Sequence, residues 1–409
     1  MFGKITIRDK ISQTHAVNLG SLCELLLFYG KILILTDFSN LGSLIETIGP
    51  DNLRYLVKNN FLNITYFSYI TAAQTDNVGP FEYHNLRILS LAGEKDGNPW
   101  KNSQFGKKQI ERVLAQLNLN PMVKKVLRSD VISKIEIRND TKYLDQDGVN
   151  PVSIATDALK DTEFLQRAAK VSLSSLAPTF RIPNDYQFSV IPTDKGFIVD
   201  SNYDLNEINH NAKNYYGEDK NISHASILSS FWNAHFDLTL AGHYGSEILT
   251  HKTSSKLITM KVAGLLNRIN NDKADLFEFS DFHFNDGFAI REAINSGIRS
   301  FDEFKPVLEK SRKFRHWIET LNPDLNLLKA YNNEVTADSW VDKLPSKTSR
   351  FAMLTSAGIG LDIAITGGLG TAAAVGISAA DNFLLDRLIK GWKPDHYINT
   401  SLKPFINNS

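Results

Sequence analysis

The sequence contains one cysteine, Cys23, among 409 residues, so an intrachain disulfide is excluded. Cys23 lies in an apolar run with Leu22 and Leu25 and has no basic neighbour, which predicts a small buried side chain rather than a nucleophile. A near absence of cysteine is typical of proteins made in a reducing compartment. The first residues lack the apolar core of a signal peptide. We therefore expect a cytoplasmic protein, with peripheral membrane association as an alternative.

An excess of charge of either sign is also lacking, because the 45 Lys and Arg residues balance 45 Asp and Glu residues. The global charge therefore provides no signal for nucleic acid or an anionic membrane as a partner. No P-loop lysine pattern, nucleophile-elbow serine or zinc-type cysteine pair is present. The sequence thus specifies no cofactor. Its 42% apolar and 22% charged residues are ordinary for a globular protein.

The apolar patterns predict an α/β part with a mixed sheet over residues 1–201, because strand and helix patterns alternate there. No convincing strand pattern follows Ser201, so residues 202–345 are predicted to form a helical domain. A Gly/Ala-rich helical hairpin and a tail are predicted over residues 346–409. The predicted strands are 4–8, 31–36, 62–68, 85–91, 132–138, 187–192 and 196–201. The main predicted helices are 17–29, 41–48, 52–58, 104–117, 151–175, 205–216, 223–249, 254–269, 287–296, 301–321, 325–334 and 346–391.

The helix predicted over 223–249 carries the first candidate site. Helical periodicity places His235 within an apolar stripe, and it places His243 and Glu247, four residues apart, on one face. Such a pair can share a metal ion or a proton. The alternative is a core histidine beside an ordinary i,i+4 pair, since a zinc site needs three or four ligands.

A second candidate is His283, which Asp281 and Asp286 flank in a predicted loop. Carboxylate–histidine pairs serve as general bases, whereas N-capping by Asp286 is the alternative explanation. Taken together, these patterns support a hydrolase-type enzyme as one functional hypothesis. Its candidate catalytic residues are His235, His243, Glu247 and His283, and its candidate metal ligands are His243 and Glu247.

Two further patterns favour structure over function. Residues 305–321 mix basic and aromatic side chains, but helical projection places the apolar ones on one arc, as expected for a helix with a solvated face. Residues 368–373 match the glycine-rich turn of dinucleotide-binding folds, yet too few residues follow for the remaining strands. Neither pattern indicates a nucleic-acid or nucleotide site.

The segment Phe351–Ala380 has Asp362 as its single charged residue. Small residues recur there at every fourth position, which predicts two helices that pack closely in a glycine-zipper-like hairpin broken at Gly367-Gly368. Basic residues flank both ends, which also fits a hairpin that dips into a membrane. The short arms and Asp362 favour packing against protein instead.

The first functional hypothesis is therefore non-enzymatic. It describes an interaction or effector protein whose C-terminal hairpin mediates self-association, packing against a partner protein or conditional membrane insertion. The hydrolase-type enzyme is the alternative.

Overall fold

The computed structural model describes residues 4–8, 18–90, 104–147, 150–217, 221–251, 253–258, 260–261, 291, 293–306 and 308–309. The predicted Gly/Ala-rich hairpin, the predicted helix 325–334 and the loop around His283 lie outside these residues.

Nine strands occur in the described residues. They are β1 (Lys4–Ile7), β2 (Lys31–Asp37), β3 (Leu62–Phe67), β4 (Tyr69–Val78), β5 (Phe81–Ser90), β6 (Glu136–Arg138), β7 (Phe188–Thr193), β8 (Gly196–Ser201) and β9 (Glu247–Leu249). The longer α-helices, numbered in chain order, are α1 (Leu19–Phe28), α2 (Leu41–Ile48), α3 (Pro50–Lys58), α4 (Phe105–Gln116), α5 (Pro121–Asp130), α6 (Pro151–Ala158), α7 (Thr162–Leu176), α8 (Leu205–Tyr216) and α9 (His224–Tyr244). Short 3₁₀ turns span Ile132–Lys134 and Lys142–Asp147. Further helical residues lie at 253–258 and 301–306.

A parallel sheet with the strand order β6-β3-β2-β1-β9 forms the first layer. Every neighbouring pair in it is parallel. The central strand β2 is an unbroken apolar run whose middle residues are all buried, as expected for a strand covered on both faces. One face packs against α1 to α5. The other packs against α6, α7 and α9.

An antiparallel sheet with the order β4-β5-β8-β7 forms a second layer. A two-residue turn at Gly79-Pro80 joins β4 to β5, and Gly79 has a φ of 61°, a value that glycine adopts without a steric cost. Helix α9 packs against this sheet, where the backbone N–H of Ala73 donates to Ser229 Oγ at 2.9 Å. Because α9 also packs against the parallel sheet, it is buried on nearly all sides.

The α/β class of the first part is confirmed, although two separate sheets replace the single mixed sheet that was predicted. The prediction that no strand follows Ser201 is wrong, since β9 pairs with β1 in the parallel sheet. The predicted helix 223–249 ends earlier, at Tyr244, because Gly245 adopts a left-handed conformation with a φ of 56°. The three predicted domains and the two boundaries between them stay predictions.

Strand β4 and helix α5 were not predicted, and the helix predicted over 151–175 is two helices, α6 and α7. Strand β4 was missed because its polar second half lacks a run of apolar residues. None of the described helices combines the length with the apolar character that crossing a bilayer requires.

Gly20 marks a close approach between α1 and the helical residues at 293–295. A Cβ atom there would lie 2.3 Å from the carbonyl oxygen of Arg291 and 2.7 Å from Asn295 Oδ1. We expect Gly20→Ala to lower the free energy of unfolding by about 1–3 kcal/mol in urea titrations, because the backbone must move apart. Gly42→Ala in α2 is the matched control, since its nearest atom would lie at 3.6 Å. Equal effects of both substitutions would contradict the prediction.

Candidate metal centre

Two polar side chains on β5, Glu82 and His84, face helix α9. They are two residues apart, so the alternation of a strand places them on the same face. His84 is directly opposite Thr75 on β4, and its side chain is 1% exposed. Glu82 is close to the end of the hairpin and is 55% exposed. The strand therefore presents one deep imidazole and one carboxylate that reaches solvent.

The third group is His224, the first residue of α9. This helix begins at Ser223, whose side chain accepts a hydrogen bond from the N–H of Ser226, while Ser226 Oγ accepts from the N–H of Ser223. This capping box fixes the first turn of the helix. The side chain of His224 is 17% exposed. Its ring lies edge-on to that of His84, with 5.9 Å between the ring centroids.

One ligand atom from each of Glu82, His84 and His224 lies within 4.8 Å of the other two. Glu82 Oε2 is 4.0 Å from His84 Nε2 and 3.9 Å from His224 Nδ1. Tetrahedral zinc with bonds of about 2.0–2.2 Å needs ligand separations of roughly 3.4 Å. The two Glu82 distances therefore exceed the tetrahedral value by about half an ångström. In the part of the chain that the structure describes, no other three His, Cys, Asp or Glu side chains converge this closely.

The second nitrogen of each imidazole has a hydroxyl partner. His84 Nδ1 is 3.0 Å from Thr75 Oγ1, and His224 Nε2 is 3.2 Å from Ser201 Oγ. When these nitrogens donate to the hydroxyls, the lone pairs of His84 Nε2 and His224 Nδ1 point toward Glu82. Metal-binding histidines are usually oriented by such a hydrogen bond on the opposite ring nitrogen. In that tautomer, both imidazoles have the form that a metal ion requires.

Burial lowers the pKa of both histidines. For His84, burial is the main cause, the nearby His224 lowers the pKa further, and Glu82 opposes these effects. For His224, burial lowers the pKa and Glu82 opposes it. The neutral form of each ring is thereby favoured near pH 7. Neutral imidazole is the form that binds metal ions.

These lowered pKa values predict that the metal-free protein is less stable in acid. The unfolded chain takes up protons near the ordinary histidine pKa of 6.5, whereas folded His84 and His224 resist protonation. The free energy of unfolding should therefore fall as the pH drops below about 6.5, by at most about 1.4 kcal/mol per pH unit for each histidine. Urea titrations in EDTA between pH 7.5 and 5.5 test this. His84→Gln should flatten the slope, and an unchanged slope would contradict the assignment.

The residues that the sequence singled out lie elsewhere. His235 is buried within α9, its Nδ1 is 3.1 Å from the carbonyl oxygen of Phe231, and its ring packs on that of Phe231. His243 is near the end of α9, where its ring contacts Tyr143 with 5.2 Å between centroids. Glu247 is on β9 rather than on the helix, so the i,i+4 argument for pairing it with His243 does not hold. His283 lies outside the described residues.

Sequence reasoning missed Glu82, His84 and His224 as a group. One local signal was available, because the Glu-x-His spacing in the alternating stretch after Gly79-Pro80 predicts two polar groups on one strand face. His224 follows an N-cap serine and carries no signal of its own. It is 140 residues from His84 in the sequence, so only the packing of α9 on β5 brings them together.

Comparison with known proteins found no family model, no curated sequence and no solved structure that matches this chain.

Proposed function

We propose that the protein binds one divalent transition-metal ion through Glu82, His84 and His224, and that its activity depends on this ion. The observation that supports the proposal is the convergence of two imidazole nitrogens and one carboxylate oxygen within 4.8 Å. The hydroxyl partners on the opposite ring nitrogens add to it. An ordinary surface cluster of polar residues does not require a histidine that is 1% exposed.

The charge balance of the site is compatible with a cation. His224 is at the positive end of the α9 dipole, which disfavours a nearby cation by about 0.3–1 kcal/mol. This cost is small beside the roughly 10–16 kcal/mol that zinc coordination contributes in structural sites. Glu82 supplies the negative charge that offsets it.

Two imidazoles and one carboxylate form the ligand set of several zinc hydrolases, in which the fourth position holds water. A zinc-bound water loses a proton near neutral pH and becomes a nucleophile. Metal-assisted hydrolysis is therefore the reaction class that we propose for this site. It keeps the hydrolase hypothesis but assigns it to residues other than His235, His243, Glu247 and His283.

The interaction function of the C-terminal hairpin stays a separate proposal, because Phe351–Ala380 lies outside the described residues. Its support is the spacing of small residues in the sequence alone. Gly360→Leu tests it, since a bulky side chain in the predicted groove should change the assembly state measured by light scattering. An unchanged assembly state would contradict self-association.

Equilibrium dialysis of the full chain against Zn²⁺ at pH 7.5 tests the metal site. The expected result for the wild type is one ion per chain at saturation. The double variant His84→Ala/His224→Ala should not bind this ion. Co²⁺ should compete for the same site, because it accepts similar ligands and geometry. Equal zinc content in the wild type and the double variant would overturn the proposal.

A further inference from the structure

Resting on the metal binding proposed above, we propose that the bound ion keeps an open coordination position on its Glu82 side and that this position takes an anionic oxygen ligand. The ligand class is a small molecule or side chain that carries a carboxylate or phosphate group.

Within the described part of the chain, the number of protein ligands leaves this position open. Glu82, His84 and His224 supply one ligand atom each, whereas zinc and cobalt bind at least four. Thr75 and Ser201 are not available as further ligands, because their hydroxyls hold the opposite ring nitrogens of the two histidines. The fourth position must therefore be filled from outside the described site.

Burial determines the direction from which an outside ligand arrives. His84 is at the inner end of the site with 1% exposure, and His224 is intermediate with 17%. Glu82, at 55% exposure, marks the side that opens to solvent. The ring of Tyr203 packs against His224 with 5.8 Å between centroids and stacks on Phe188. Tyr203 thus covers part of the His224 ring, and the exposed Glu82 side chain marks the side from which a ligand can approach.

The charge of the site selects an anion. A divalent ion with one carboxylate and two neutral imidazoles carries a net charge of about +1. The first turn of α9 adds positive potential, because His224 is its first residue. An anionic ligand bound to the ion is attracted by this positive charge. A neutral ligand of the same shape lacks this electrostatic attraction.

The test uses full-length protein loaded with Co²⁺, whose visible absorption reports the coordination of the ion. Acetate and inorganic phosphate are titrated separately, with acetamide as the neutral match for acetate. We expect saturable spectral changes with acetate, with phosphate or with both, and at least a tenfold weaker response to acetamide. The response to each anion distinguishes a carboxylate-bearing from a phosphate-bearing natural ligand.

The outcomes separate this inference from the metal site itself. One outcome is a Co²⁺ spectrum that is lost in His84→Ala but does not change with either anion. It would mean that the coordination of the ion is closed, and it would overturn the inference while the metal site stands. An equal response to acetamide would overturn the selection of anions. Failure of the wild type to bind Co²⁺ would overturn the metal site first. Phe81→Ala, a substitution next to Glu82 on the opposite strand face, should leave the titrations unchanged.

Discussion

Replacing His84 by alanine is expected to lower the affinity for Zn²⁺ by at least about 100-fold, because loss of a direct ligand should exceed the 10–100-fold effect of outer-shell substitutions. His84 is the most deeply buried of the three proposed ligands, at 1% exposure. The described residues contain no second cluster of three His, Cys, Asp or Glu side chains that could bind the ion instead. Competition with a coloured zinc chelator measures the affinity directly.

Graded substitutions sharpen this prediction. Thr75→Val and Ser201→Ala remove only the hydroxyls that orient the two imidazoles, so each should weaken zinc binding by about 10-fold. His210→Ala is the matched control, because His210 is an exposed histidine on α8. If His84→Ala and His210→Ala both bind zinc like the wild type, the ion occupies another place and the proposed site is wrong.

A thermal measurement provides an independent check of the same prediction. An ion that binds only the folded chain adds about 2.7 kcal/mol to the free energy of unfolding at 100 times its Kd. Zinc should therefore raise the melting temperature of the wild type and of His210→Ala. It should leave that of His84→Ala nearly unchanged at the same concentration.

Much of the α/β part was predictable because its elements follow local rules. Strand β2 is a short apolar run between polar residues, and α3 begins at Pro50 after Gly49, a strong break in the sequence. The hairpin of β7 and β8 has matched alternating segments around a short turn. Each of these signals lies within about ten residues of sequence.

The elements that were missed depend on distant partners. Strand β9 has three residues, and its strand conformation comes from pairing with β1, which is more than 200 residues earlier in the sequence. The antiparallel sheet was not recognised as a separate sheet, because the polar half of β4 looks like a loop until β5 is placed beside it. Short-range periodicity cannot detect either pairing.

The candidate site shows the same limit more clearly. Helical periodicity paired His243 with Glu247, although α9 ends at Tyr244 and Glu247 lies on β9. The cluster that does form joins a strand residue to the first residue of a helix that starts 140 positions later. Sequence spacing predicts which residues share one element, but contact between elements requires the fold.

The largest loss of stability is expected from Asp237→Ala, which breaks a buried ion pair between α9 and the ends of two strands. Asp237 is 2% exposed, and its Oδ1 is 3.0 Å from Nε of Arg8, which is 21% exposed. Its Oδ2 accepts a hydrogen bond from Thr250 Oγ1 at 2.8 Å. Removing one partner of a buried pair costs about 3–5 kcal/mol, and the partial exposure of Arg8 places the expected value near 3 kcal/mol.

Urea titrations of the metal-free protein measure this effect against Glu163→Ala. Glu163 pairs with Arg167 on the surface of α7 at 3.6 Å, where both side chains are more than one third exposed, so its loss should cost below about 1 kcal/mol. The double variant Arg8→Met/Asp237→Leu should recover most of the lost stability, because it leaves no buried charge without a partner. An effect of Asp237→Ala no larger than that of Glu163→Ala would show that the ion pair does not hold β1 and β9 to α9.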